Sequence, residues 1–283
     1  MEARSAAVTV DPGEQAPADT SNGTTLALTW LGHATALIEL DGKRLLTDPL
    51  LGAVRPLTRI APPVQPAATE QIDAVLLSHL HADHAHTRSL RRIARATPII
   101  APAGAGRWLK ARGLSNVEEL AHGEWTHVGE VCVWLTPARH VPSRGRAAGV
   151  RPSGFVICGS RCCYFAGDTD LFAAMATLAG LIDLALLPVG GWGPTLGPGH
   201  LDPVRAARAA AAIRPRAAVP IHYGTLALPR VLRRRDDPRM PALLFAELVG
   251  RRAPEVDVHL LDPGARLELR GPGCRENQGA HGA

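Results

Sequence analysis

Ser78-His79-Leu80-His81-Ala82-Asp83-His84 directly follows the apolar run 73–77, and its reading governs that of the whole chain. Four side chains able to bind a metal, His79, His81, Asp83 and His84, fall within six residues. Side chains alternate along an extended strand, so His79 and His81 share a side. Asp83 and His84 come where the strand should end and can fold round to a second point. Imidazole nitrogen and carboxylate oxygen together suit zinc in a tetrahedral or slightly expanded shell. A lone buried histidine is ordinarily a satisfied core residue, but three histidines and an aspartate this close together are not explained by packing.

One cluster cannot close two metal shells, so further donors are sought along the chain. His140 follows the apolar run 131–136, and Asp168 follows 163–166 within Ala166-Gly167-Asp168-Thr169-Asp170. His222 follows 217–220 within Pro220-Ile221-His222-Tyr223-Gly224. Each stands where an apolar strand gives way to a loop marked by Gly or Pro, the usual place for functional groups in layered α/β folds.

Working outward, residues 25–31, 35–40 and 43–47 read as strands, the last two joined by the turn Asp41-Gly42. Residues 73–78, 97–101 and 131–136 read as further strands, with helices at 88–96 and 106–112. The second half repeats the order: strands at 154–159 and 161–166, a helix at 171–178, and a strand at 183–187. An Ala-rich helix at 203–213, a strand at 217–220, a helix at 242–249 and strands at 256–261 and 266–269 follow. Two halves, each with strands first and alternating helix and strand after, predict two sheets packed face to face with helices outside, a four-layer αββα sandwich of the α/β class. One domain over residues 24–270 is expected, with loose tails at 1–23 and 271–283, which lack any hydrophobic period.

The composition excludes other classes. With 283 residues, 46% hydrophobic and 20% charged, the chain is neither a disordered segment nor a fibre. No window approaches the roughly 18 apolar residues of a membrane helix, and the N-terminal stretch has no signal-peptide core, so a cytoplasmic protein is expected. Five cysteines, Cys132, Cys158, Cys162, Cys163 and Cys274, form no CxxC pair and read as reduced thiols. A net charge of +5 favours an anionic substrate without specifying a nucleic acid. Arg88, Arg91, Arg92 and Arg95 would form one helical stripe opposite Leu90, Ile93 and Ala94, which reads as a solvated face. Gly104-Ala105-Gly106 lacks the third glycine of a dinucleotide loop. The chain also contains no GxxxxGK, HExxH or GxSxG, so nucleotide-dependent and serine-nucleophile chemistry lose support.

Taken in order, His79-x-His81-x-Asp83-His84, His140, Asp168 and His222 resemble the metallo-β-lactamase superfamily. Thr29-Trp30-Leu31-Gly32-His33-Ala34-Thr35, Leu46-Thr47-Asp48-Pro49, His140-Val141-Pro142-Ser143-Arg144-Gly145 and Gly199-His200-Leu201-Asp202-Pro203 resemble its branch of L-ascorbate-6-phosphate lactonases and N-acyl-phosphatidylethanolamine phospholipases D. The resemblance implies one metal held by His79, His81 and His140 and a second held by Asp83, His84 and His222, with Asp168 as the bridge. It implies two divalent ions, zinc first, with manganese or iron accepted by the same donors. A hydroxide shared by the metals would then hydrolyse an ester, lactone or phosphodiester. Asp168 stands where the best-known β-lactamases carry cysteine, and His81 stands where flavodiiron oxidases carry glutamate, so neither of those activities is favoured.

The same resemblance gives Asp83, Asp168 and His200 catalytic parts and makes His33, Arg144 and His200 substrate contacts near the mouth of the site. His200 is also a candidate proton donor, and Arg144 could bind an anionic group bidentately. Asp48 reads as a support of the metal loop. His86 reads as lying outside the ligand set, and His122, His127, His259 and His281 follow no pattern. The expected partner is a small or lipid-like anionic substrate. A nuclease using the same metals and a non-catalytic metal-bound ligand-binding domain are the alternatives, and the sequence gives no oligomeric state.

Overall fold

The apolar runs become two mixed sheets. A computed structural model describes residues 25–94, 96–141, 149–192, 196–228 and 237–271. Its first strands are β1 (Leu26–Gly32), β2 (Thr35–Leu40), β3 (Lys43–Thr47), β4 (Thr58–Arg59), β5 (Ala74–Leu76), β6 (Ile99–Pro102) and β7 (Val117–Leu120). They are followed by β8 (Trp125–Val128), β9 (Val131–Pro137), β10 (Ser153–Cys158), β11 (Cys162–Phe165) and β12 (Leu184–Pro188). The chain continues through β13 (Ala217–Ile221), β14 (Leu226–Ala227), β15 (Asp257–Val258) and β16 (Arg266–Leu269). The helices are α1 (Thr87–Ile93), α2 (Ala105–Lys110), α3 (Pro203–Ile213) and α4 (Met240–Arg252).

One seven-stranded sheet runs β16-β1-β2-β3-β5-β6-β7 and the other β15-β13-β12-β11-β10-β9-β8, while β4 and β14 form a small separate pair. Leu28, Trp30, Ile38 and Leu76 of the first sheet share one buried core with Val133, Leu135, Phe155, Ile157 and Leu186 of the second. Val75, Leu77 and Ile99 on the outer face of the first sheet pack with Leu90 of α1 and Leu109 of α2. Ala206, Ala207 and Ala210 of α3 and Phe245 and Val249 of α4 belong to the main core. These layers are the αββα sandwich the sequence predicts.

Strand direction positions the site. β1 and β3 each run antiparallel to β2, and β5 runs parallel to β3. In the second sheet β9 and β11 are both antiparallel to β10, and β12 and β13 follow β11 in parallel. The C-terminal ends of β1, β3 and β5 therefore share one edge of the first sheet, and those of β9, β11 and β13 share one edge of the second. His33, Asp48, the His79–His84 cluster, His140, Asp168 and His222 all follow these ends, the usual place for binding groups in α/β sheets.

Several expectations need correction. The helix expected at 171–178 forms over Ala173–Leu178, as a 3-10 helix. The strand expected at 256–261 shrinks to Asp257–Val258, because β15 is an edge strand paired with β13 over two residues only. β7 and β8 escape the sequence reading, because they are edge strands with mixed exposure and no clear apolar alternation. Cys158 and Cys162 are not reduced thiols: they face each other across the β10–β11 hairpin and form a disulfide. Cys132 and Cys163 remain thiols. Residues 1–23, 272–283, Arg95, Arg144 and Cys274 lie outside the described residues. On α1, Arg88, Arg91 and Arg92 are exposed and Leu90 is buried, as the stripe predicts.

Candidate metal centre

The loop after β5 supplies the first donors. Nε2 of His79 lies 2.9 Å from Nδ1 of His81, and Nε2 of His140, from the end of β9, lies 3.0 Å from the same atom. A second group gathers around His84, whose Nε2 is 3.2 Å from Nε2 of His222 and 3.9 Å from Oδ2 of Asp83. Asp168 lies between the two groups: its Oδ2 is 3.2 Å from Nε2 of His84 and 3.9 Å from Nε2 of His140, and its Oδ1 is 3.2 Å from Nε2 of His222. The structure thus brings together all seven residues named as metal ligands.

Local structure explains how they are presented. Gly167 has φ +59°, and a Cβ on it would lie 2.8 Å from both Cβ of Ser78 and the Ser153 carbonyl, so only glycine lets the Asp168 loop approach the first sheet this closely. The stretch 199–203 also acquires a physical account. Asp202 caps α3 by accepting from the Arg205 N–H, Pro203 stands in the first turn, and the Gly199 carbonyl accepts from Nδ1 of His140 at 2.8 Å. His200 is thereby held with Nε2 3.4 Å from Oδ2 of Asp168, its side chain 23% exposed. Trp192 and Val141, each about two-fifths exposed, add apolar surface within a few residues of Gly190 and His140.

The hydrogen bonds beneath the donors fix their protons. Asp48 is fully buried; its Oδ1 accepts from the Ser78 N–H and its Oδ2 from the Ser78 hydroxyl. With its proton committed to Asp48, the Ser78 oxygen is left to accept from Nδ1 of His79, 2.9 Å away. Nδ1 of His84 faces Asp48 Oδ2 at 2.8 Å, and Nδ1 of His222 donates to the Gly190 carbonyl at 2.9 Å. Three imidazoles, those of His79, His140 and His222, consequently carry their lone pairs on Nε2, within about 3 Å of other donor atoms. Oδ1 of Asp168 is buried and accepts no hydrogen bond among the described residues. Convergent lone pairs around an unsatisfied carboxylate are stabilised by cations, so the donor set fits divalent metal ions.

Electrostatics point the same way. Burial pushes His79 well below the ordinary histidine range, lowers His81 and His222, and takes His140 down to about 4, so these rings are neutral at pH 7, the form in which an imidazole can bind a metal. Burial would raise the carboxyls of Asp83 and Asp168. The neighbouring histidines outweigh it, His84 and His33 for Asp83 and His222 and His84 for Asp168, and keep both ionised. For His84 and His200, burial is outweighed by Asp168, which raises both rings.

The expected place of His33 at the mouth is corrected. It is 1% exposed, its ring lies 3.8 Å from that of His222, and its Nε2 lies 3.1 Å from Oδ2 of Asp83. A left-handed backbone, φ +54°, turns the chain there, with the His33 N–H donating to the Thr225 hydroxyl. His86, just past the cluster, instead meets Ser89 at the start of α1. Ser78, Thr225 and the Gly190 and Gly199 carbonyls were not singled out as single positions, since a hydroxyl or a carbonyl acceptor leaves no mark of its own in a sequence.

Comparison with known proteins agrees with this geometry. A sequence profile described as a beta-lactamase superfamily domain matches residues 43–223, which include all seven of these donors. A metal-dependent hydrolase of Caldivirga maquilingensis is 34% identical over 247 residues, 86% of this chain and 97% of that protein. The N-acyl-phosphatidylethanolamine-hydrolyzing phospholipase D 1 of Caenorhabditis elegans is 31% identical over 228 residues, 71% of this chain and 64% of that protein. The solved structure of a metallo hydrolase from the archaeon Ignicoccus hospitalis superposes with a TM-score of 0.68 at 26% identity, covering 87% of this chain and 99% of that one. With its fold, its donor cluster and these relatives in agreement, the chain belongs to the metallo-β-lactamase superfamily of metal-dependent hydrolases.

Proposed function

We propose that the protein hydrolyses an ester, lactone or phosphodiester bond in a small or lipid-like anionic substrate, with two divalent ions, zinc first, held by the two clusters. The observation that carries this reading is Asp168, a buried carboxylate standing between two groups of imidazoles with Oδ1 unsatisfied. A carboxylate there can give one oxygen to each of two cations while its charge offsets their repulsion. The likeness to the nematode phospholipase D supports a lipid-like substrate, and manganese or iron would suit the same donors.

His79, His81 and His140 would hold one ion and Asp83, His84 and His222 the other. Bound there, the ions would supply Lewis acidity, activating water near neutral pH and offsetting negative charge on the substrate. The chain's own groups do the rest. His140 and His222 are kept in one tautomer by the Gly199 and Gly190 carbonyls. His200 is partly exposed, steadied through Nδ1 on the Gly197 carbonyl, with Nε2 3.4 Å from Oδ2 of Asp168, and so is placed to pass a proton from Nε2 to a leaving oxygen.

The test is a turnover screen of the zinc-reconstituted full chain against phosphodiesters, lactones and esters, with and without acyl chains, and against single-stranded RNA. Metal-dependent turnover in the first group is expected. Cleavage of RNA alone would replace this reading with a nuclease, and ligand binding without product at saturating metal would replace it with a binding module.

A further inference from the structure

His33 lies outside the segment 43–223 matched by the family profile, yet it is built into the centre more firmly than several of the donors. Its backbone is clasped from three sides. Its carbonyl accepts from the indole N–H of Trp30 at 3.0 Å and from the His222 N–H at 2.9 Å, and its N–H donates to the Thr225 hydroxyl at 2.7 Å. Gly32 precedes it at φ +104°, where a Cβ would lie 3.0 Å from the Thr225 side chain. His33, Asp48 and His222 are three of the six non-glycine residues with positive φ among the described residues, and all three adjoin the donor clusters. Backbone held in this sparsely populated region persists where surrounding contacts over-determine it.

The ring explains what this framework holds. Nε2 of His33 is 3.1 Å from Oδ2 of Asp83, while the ring is packed 3.8 Å, centroid to centroid, from His222. His33 thus meets all three residues of the Asp83, His84 and His222 cluster, and one of its ring nitrogens belongs with their ligand atoms to a group lying within 4.8 Å of one another. Asp83 comes from a turn and its side chain is 16% exposed, whereas the side chain of His33 is 2% exposed. A carboxylate on a turn has rotational freedom, and a buried N–H donor is what would remove it.

We infer that His33 is a positioning residue: its Nε2–H holds Asp83 in one rotamer and so sets the affinity of the second cluster for its ion, without touching the substrate. This inference rests on the two-metal reading above. Partners of this kind, hydrogen-bonded to a ligand, are worth roughly tenfold to a hundredfold in metal affinity. The effect should be confined to the cluster that contains Asp83, because the contacts of His33 reach none of His79, His81 and His140.

The experiment titrates the metal-free full chain with Co2+, following bound metal and the visible absorption of each site, for the wild type and for His33→Ala, His33→Gln and His33→Asn. The wild type is expected to take up two equivalents. In His33→Ala, one equivalent keeps its affinity, while the other weakens at least about tenfold and changes its spectrum. Glutamine places an amide N–H near the position of Nε2 and restores both readouts; asparagine is too short to do so. If His33→Ala loses the native circular dichroism, the glutamine and asparagine variants decide: a gap between them supports the inference, and equal affinities overturn it. Two unchanged equivalents in His33→Ala overturn it, as does failure of glutamine to restore the site, which would make His33 a direct ligand. A wild type that binds a single equivalent overturns the two-metal reading and this inference with it.

Discussion

The two donor clusters are held in different ways. His84 and His222 are buried, and each has its Nδ1 against an acceptor, the Asp48 carboxylate and the Gly190 carbonyl; Asp83 beside them meets His33. In the other cluster His79 is braced through Ser78 and His140 through Gly199, but His81 is half-buried and meets the rings of His79 and His140. The less braced cluster also adjoins His200, whose ring is 4.6 Å from that of His140. One cluster is therefore braced at all three of its residues and the other at two. Ser78 and Asp48 join them, since Asp48 meets Ser78 and His84 while Ser78 meets His79.

The sharpest way to break this comparison is to remove the charge of the residue standing between the clusters. Asp168→Asn keeps the shape and is expected to lower turnover by at least about two orders of magnitude, as loss of a major electrostatic contributor does, with a much smaller change in substrate affinity. Metal content must be followed in the same preparations, because metal loss would mimic the effect. Near-normal turnover with both metals bound would remove Asp168 from the mechanism.

A smaller effect should appear in the metal-free protein as a function of pH. Burial takes His33 and His140 down to about 4, against an ordinary value of 6.5, so the unfolded chain binds more protons than the folded one between those limits. Stability is then fully present above pH 6.5 and is lost as pH falls toward 4, by about 1.4 kcal/mol per pH unit for each such histidine. The raised rings of His84 and His200 contribute stability that is fully present below 6.5 and lost at higher pH, so they leave the acid limb unchanged. Thermal melts from pH 6.5 to 4.5 check this, and a melting temperature that holds steady or rises on acidification over that range would contradict it.

How much was legible from sequence follows from what each residue signals. The histidine cluster after β5 is a local pattern. The sandwich follows from strand and helix order, because apolar runs of five to seven residues pack on both faces. His140, Asp168 and His222 were found because each interrupts an apolar run at its end. What sequence concealed is long-range or conformational. The inward turn of His33 depends on a left-handed backbone and on Thr225, 192 residues away. The Cys158–Cys162 bond depends on a hairpin register rather than on a spacing motif. Edge strands β7 and β8 carry little apolar alternation, and each closes its sheet among the described residues.

The central claim, two clusters of unequal strength sharing Asp168, is tested most directly by counting metal. Titration of the metal-free chain with Zn2+ in competition with a chromophoric chelator should give two equivalents, the tighter at Asp83, His84 and His222. His222→Ala should remove the tighter equivalent and His81→Ala the weaker. A stoichiometry of one that His222→Ala leaves unchanged would contradict the account.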